Sequence, residues 1–164
     1  MQTVYLESIK QHYYKKELEK KLQTASKHFP ELEKTKVYIG ILPKKANPYY
    51  DGIAMANCEN NVVLFKVDVK PTNVTVFHEL THLALHKNAR KPKSENYCSV
   101  SAMARMPPEL VDEQQIPYIG LTGVPARAMP GLCKQAIKYR EKGNHHYIKY
   151  LKQQAEKLAR KKRS

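Results

Sequence analysis

Between residues 62 and 88 the hydrophobic period of the chain changes, and that change limits the folds open to it. Val63, Phe65, Val67 and Val69 point one way and Lys66 and Asp68 the other, the two-residue repeat of a half-buried strand. Pro71-Thr72-Asn73 ends the alternation and supplies a helix start, and over 74–88 the apolar side chains follow a helical period. A second candidate strand, 52–58, is joined to 62–69 by Glu59-Asn60-Asn61, a short Asn-containing connection that predicts a hairpin. The chain thus runs from a hairpin straight into a helix.

Around this unit the other elements are shorter to describe. Leu6, Ile9, Tyr13, Leu18, Leu22, Ala25 and Phe29 recur at steps of three to five, which predicts a helix over 4–29, closed by Pro30. The β-branched run 37–42 predicts a strand that stops at Pro43, and 44–51 reads as loop. A basic loop, 89–93, leads to a second helix over 94–106, which Pro107-Pro108 ends. A helical turn is expected at 109–114, a Gly- and Pro-rich stretch at 116–131, and two helices at 132–141 and 144–163, separated at Gly143. The last carries Tyr147, Ile148, Leu151, Ala155 and Leu158 on one face, so its start can pack. The expected fold is α+β: an N-terminal helix, a small and mostly antiparallel sheet with a hairpin, two central helices, and C-terminal helices. The division expected is one domain over 1–143 and a basic helix or tail over 144–164.

Composition bounds the function classes. The 164 residues suit one domain, and 41% hydrophobic residues suffice for one core and exclude global disorder. No run approaches the roughly 20 apolar residues of a membrane span, and the first residues do not read as a signal peptide. Cys58, Cys98 and Cys133 form neither a disulfide framework nor a CxxC knuckle, so a reducing cytoplasm is the simplest location. Cys98 reads as a small buried residue, or else as an extra ligand or inhibitory thiolate. Lys and Arg number 29 against 15 acidic residues, a net charge of +14, and 136–164 alone hold ten basic side chains against Glu141 and Glu156. Such an excess suits DNA or RNA contact through the C-terminal end, ending in Arg160-Lys161-Lys162-Arg163.

The chemistry is concentrated in His78-Glu79-Leu80-Thr81-His82. Histidines four apart lie one turn apart on one helix face and can bind a single Zn²⁺. Glu79, beside the first histidine, can reach a water on the metal and act as general base. A two-histidine site needs a further ligand. Glu95, thirteen residues after His82 and at the start of the next helix, can be brought back to the pair by the intervening loop. Glu109, Asp112 and Glu113 are the rivals farther along. His86 lies about 6 Å beyond His82 along the axis, too far to share the ion easily, and reads as a helix-end residue.

The run His78-Glu79-x-x-His82-x-x-Leu85-His86, followed by Glu95, by the small residues Ser99, Ser101, Ala102 and Ala104, and by Met106-Pro107, resembles the ImmA/IrrE family of gluzincin-type zinc metallopeptidases over roughly 36–110. The resemblance implies zinc on His78, His82 and the glutamate of the second helix, Glu79 as catalytic base, and hydrolysis of a protein substrate, with a DNA-bound regulator as one such substrate. It also implies an edge strand holding the substrate extended beside the cleft, either 52–58 or 62–69, and an oxyanion stabiliser, for which His145, His146, Tyr118 and Arg127 are the candidates. The chain departs from the family in carrying Asn96 where the glutamate usually stands, one residue after Glu95, and Thr81 where a Gly is usual. The competing expectation is a basic nucleic-acid-binding protein of mobile-element or viral type in which the HExxH is structural.

Overall fold

The sheet is organised around an interior strand, 36–42, that runs parallel to both of its neighbours. In the computed structural model, which describes residues 1–42, 52–88, 91–112, 119–121 and 124–161, strands β1 (Gln2–Tyr5), β2 (Lys36–Leu42), β3 (Ala54–Asn57) and β4 (Val62–Lys66) are hydrogen-bonded in the order β1-β2-β4-β3. Val37, Ile39 and Ile41 of β2 are buried, and β2 runs parallel to both β1 and β4. Only β3 and β4 are antiparallel. The sheet is therefore mixed, not mostly antiparallel. The hairpin forms as expected, but β3 takes the sheet edge, and β4 falls beside β2 and runs parallel to it. Asn61 adopts a left-handed φ of 52°, which Asn tolerates, and the Asn57 carboxamide oxygen accepts the Asn60 N–H at 3.2 Å to close the turn.

The long N-terminal helix expected over 4–29 is three elements: β1, a single turn α1 (Glu7–Lys10), and α2 (Lys15–Ser26). The step of five between Tyr13 and Leu18 marks the break. Tyr13 is 71% exposed, while Tyr14 is buried and donates its hydroxyl to the Lys66 carbonyl at 2.7 Å. Counted from Tyr14, the buried series is Leu18, Leu22, Ala25 and Phe29, with helical steps of three and four throughout. Val4 and Tyr5, freed from the helix, pair with Tyr38 and Ile39 and complete the second edge of the sheet.

Four helices follow: α3 (Asn73–His86), α4 (Glu95–Arg105), α5 (Met129–Glu141) and α6 (Tyr147–Lys161). Thr72 caps α3, its hydroxyl accepting the Thr75 N–H at 3.1 Å, and Ser94 caps α4 through the Tyr97 N–H at 3.4 Å. A 3-10 turn, Pro108–Leu110, stands within the stretch expected to be a helical turn. The helices stack in chain order, α4 on α3, α5 on α4 and α6 on α5. Helix α6 docks through Tyr147, Leu151 and Ala155, all buried, as its apolar stripe predicts. The end of the expected basic tail, 162–164, lies outside the described residues. Among those described, no helix is long and apolar enough to cross a membrane.

The far end of α4 is tied down by Arg105, which donates to both Glu31 oxygens at 2.7 and 3.0 Å, donates to the His28 carbonyl at 3.2 Å and covers the Phe29 ring. The Arg105 guanidinium holds the Glu31 carboxyl below its ordinary value of 4.5. A lowered folded-state pKa stabilises the fold fully above that ordinary value, and the contribution is lost as pH falls through the folded pKa. Because the pair is partly solvated, Arg105→Met is expected to cost only about 1 kcal/mol at pH 7. That difference should shrink as pH falls below 4.5, read from urea unfolding of both proteins across the acid range.

Candidate metal centre

Helix α3 places His78 and His82 one turn apart, and α4, folding back antiparallel through the connection after Asn88, brings its first residue to them. The Nε2 atoms of His78 and His82 stand 3.0 Å apart, and Glu95 Oε2 lies 3.1 Å from the first and 3.2 Å from the second. Among the described residues, His78, His82 and Glu95 form a cluster able to hold a metal ion. In a tetrahedral zinc site, ligand atoms about 2.0–2.1 Å from the ion stand about 3.3 Å apart. The triangle matches that spacing to within a few tenths of an ångström.

The far sides of both imidazoles are also held by α4. Ser99 Oγ lies 3.2 Å from His78 Nδ1, and Cys98 Sγ lies 3.3 Å from His82 Nδ1. With each Nδ1–H donating outward to these atoms, both Nε2 lone pairs point inward, toward each other and toward a carboxylate. Three acceptors converging in this way repel unless a cation sits among them. Protonation states agree. Burial lowers the pKa of His82 and favours the neutral ring that ligates metals. Contact with the His78 ring holds the Glu95 carboxyl below the usual carboxylate range. Consecutive residues of one helix thus orient two ligands while its first residue supplies a third. Nothing in the sequence pattern marks Ser99 or Cys98 for this, because it depends on how α4 is rotated against α3.

Glu79 stands outside the triangle. Its side chain is buried, with the residue 6% exposed, and it accepts a hydrogen bond from the Ala56 N–H of β3. Burial, reinforced by the Glu95 charge and opposed by His78, pushes its carboxyl up to about 7. A cation in the adjacent cluster would pull it back down.

The remaining candidates are elsewhere. Asp112 caps α3: its carboxylate accepts the Asn73 N–H at 2.6 Å and the Val74 N–H at 3.3 Å, satisfying two amides that a helix start leaves open. Glu109 is exposed on the 3-10 turn, and Glu113 and Tyr118 lie outside the described residues. His86 is the exposed last residue of α3. His145 is exposed beside Arg140, His146 lines a pocket between α5 and α6, and Arg127 is exposed on the Ala126–Ala128 turn. Burial pushes the Cys98 thiol up to about 12, which keeps it a protonated partner of the His82 ring and not a thiolate. In comparisons with known proteins, the chain matches no family model, no curated protein and no solved structure.

This arrangement separates the ligands from the cap. Ser99→Ala should weaken the cluster's affinity for a divalent metal, probed with zinc, about 10- to 100-fold, the usual effect of removing a partner that orients a ligating histidine. Asp112→Ala should leave zinc affinity unchanged while costing about 1 kcal/mol of stability. Competition with a chromophoric chelator and thermal melting measure the two effects separately.

Proposed function

We propose that the protein is a zinc-dependent peptidase with His78, His82 and Glu95 as ligands and Glu79 as general base. The observation that carries this reading is the pairing of a closed N, N, O triangle with a buried carboxylate that stands next to it and takes no part in it. A bound zinc ion would supply Lewis-acid polarisation of the scissile carbonyl and of the attacking water. Glu79 would accept the water's proton and later deliver it to the leaving amine. Ala56, by donating its N–H to Glu79, holds the carboxylate toward the side of α3 that β3 covers.

The sheet order favours one substrate-binding strand over the other. β4 is flanked by β2 and β3, whereas β3 is the edge and packs on α3. An extended peptide would add to β3 through backbone hydrogen bonds, which read main chain and not side chains, and so suit a protein substrate. The similarity of the HExxH region to ImmA/IrrE peptidases points in the same direction. The proposed reading places no role on α6, which lies against α5.

The test is Glu79→Gln. Zinc should remain bound, because Glu79 is not a ligand, and the fold should be kept, because the amide is isosteric. Hydrolysis of a peptide library should fall by roughly 10²-fold or more, since the amide cannot take a proton. Mass spectrometry of the digest with metal analysis of the same sample reads both. Retained hydrolysis, or loss of zinc, would overturn the assignment.

A further inference from the structure

Where α5 meets α6, Tyr139 and Tyr150, partly buried at the margin of the core, stack flat with ring centroids 4.4 Å apart and planes 5° from parallel. His146, Lys149 and Gln153 complete the lining of a pocket of about 300 Å³ over this pair. Both tyrosines are half-buried, while His146, Lys149 and Gln153 are exposed. The docking residues Tyr147, Leu151 and Ala155 are buried, whereas His146, Lys149 and Gln153 leave the pocket open to solvent.

Its surroundings are basic. Lys142, at the C-terminal cap of α5, is three residues beyond Tyr139, Lys157 is one turn beyond Gln153 on α6, and both are exposed. The two carboxylates of this region are directed elsewhere. Glu141 pairs with Lys91 at 2.6 Å, and Glu156 lines a separate small pocket with Lys152, Gly120 and Leu121. None of the five residues that line the tyrosine pocket is acidic.

We propose that this pocket binds single-stranded nucleic acid, one base stacking against the tyrosine pair while Lys149 and the neighbouring lysines take phosphates. Planar aromatic surface beside cations is the chemistry of strand-tracking proteins, where stacking tolerates any sequence. The volume lies at the small end of ligand pockets and suits one base. A duplex keeps its bases paired and cannot offer one to a concave site. An acidic peptide or an anionic membrane would need the charge but not the aromatic floor. Gln153 and His146 sit where they can hydrogen-bond a base edge. The site is distinct from the metal cluster and does not depend on it.

The experiment is fluorescence anisotropy of the full chain with labelled single strands of about 12 nucleotides, between about 50 and 200 mM salt. Tyr139→Ala and Tyr150→Ala should each weaken binding by about 5- to 100-fold, whereas Tyr150→Phe, which keeps the stacking face, should stay close to the parent. Lys149→Ala should reduce the salt slope by about 0.7, the value for one phosphate on a single strand. Lys149 is exposed, so that variant tests the site even if the alanine variants fail to fold. The parent chain, which has no tryptophan, should also show tyrosine fluorescence quenched on binding, less so in Tyr150→Ala. Equal affinity for duplex, competition by a mononucleotide at the oligomer's own concentration, or equally tight binding to phosphatidylserine vesicles would overturn the proposal. So would an unchanged affinity in Tyr150→Ala together with an unchanged slope in Lys149→Ala.

Discussion

Ten of the fourteen residues of α3 are buried, two of them His78 and Glu79. A helix enclosed to that extent cannot leave polar side chains without partners, since each would lose its hydration for nothing in return. β3 and α2 pack against α3, and β3 supplies the N–H that Glu79 accepts. The imidazoles are left to α4, which meets them with Glu95, Cys98 and Ser99. The return of α4 along α3 is therefore both the packing that closes the core and the assembly of the cluster. The two cannot be separated by mutation without care.

The same constraint grades exposure across the cluster. Glu95 begins its helix and its side chain is 52% exposed, while the His78 side chain is 8% exposed. A carboxylate at a helix start is favoured by the backbone dipole and remains ionised at the solvent edge. Burial favours the neutral ring of His82 behind it. Access is graded across the cluster, from the exposed Glu95 to the buried Ser99.

How far the sequence carried this picture depended on whether a feature was local. The HExxH spacing needs only a helix, and α3 was legible from its period and from Thr72. The return of Glu95 needed only a short connection between two helices. The partners of the imidazoles needed the rotation of α4, and the role of Asp112 as a cap needed the path of a loop thirty-eight residues away in sequence from Val74; spacing records neither. The N-terminus shows how one residue can shift a reading. Taking Tyr13 as buried merges β1, α1 and α2 into a helix, whereas Tyr14 gives the observed series, and the chain alone does not say which of two adjacent tyrosines turns inward. The direction of β4 was hidden for a related reason, since a hairpin fixes β3 against β4 but not which of them meets β2.

The central claim is that two imidazoles and one carboxylate hold a single metal ion, with sulfur outside its coordination sphere. X-ray absorption at the zinc edge, on tag-free protein loaded with one equivalent, tests it most directly. The account predicts stoichiometric binding and a shell of nitrogen and oxygen at about 2.0–2.1 Å, with the multiple scattering of two imidazoles. A sulfur shell at about 2.3 Å would bring Cys98 or Cys58 onto the metal, and failure to retain zinc would leave the cluster without an occupant. Either result contradicts the account.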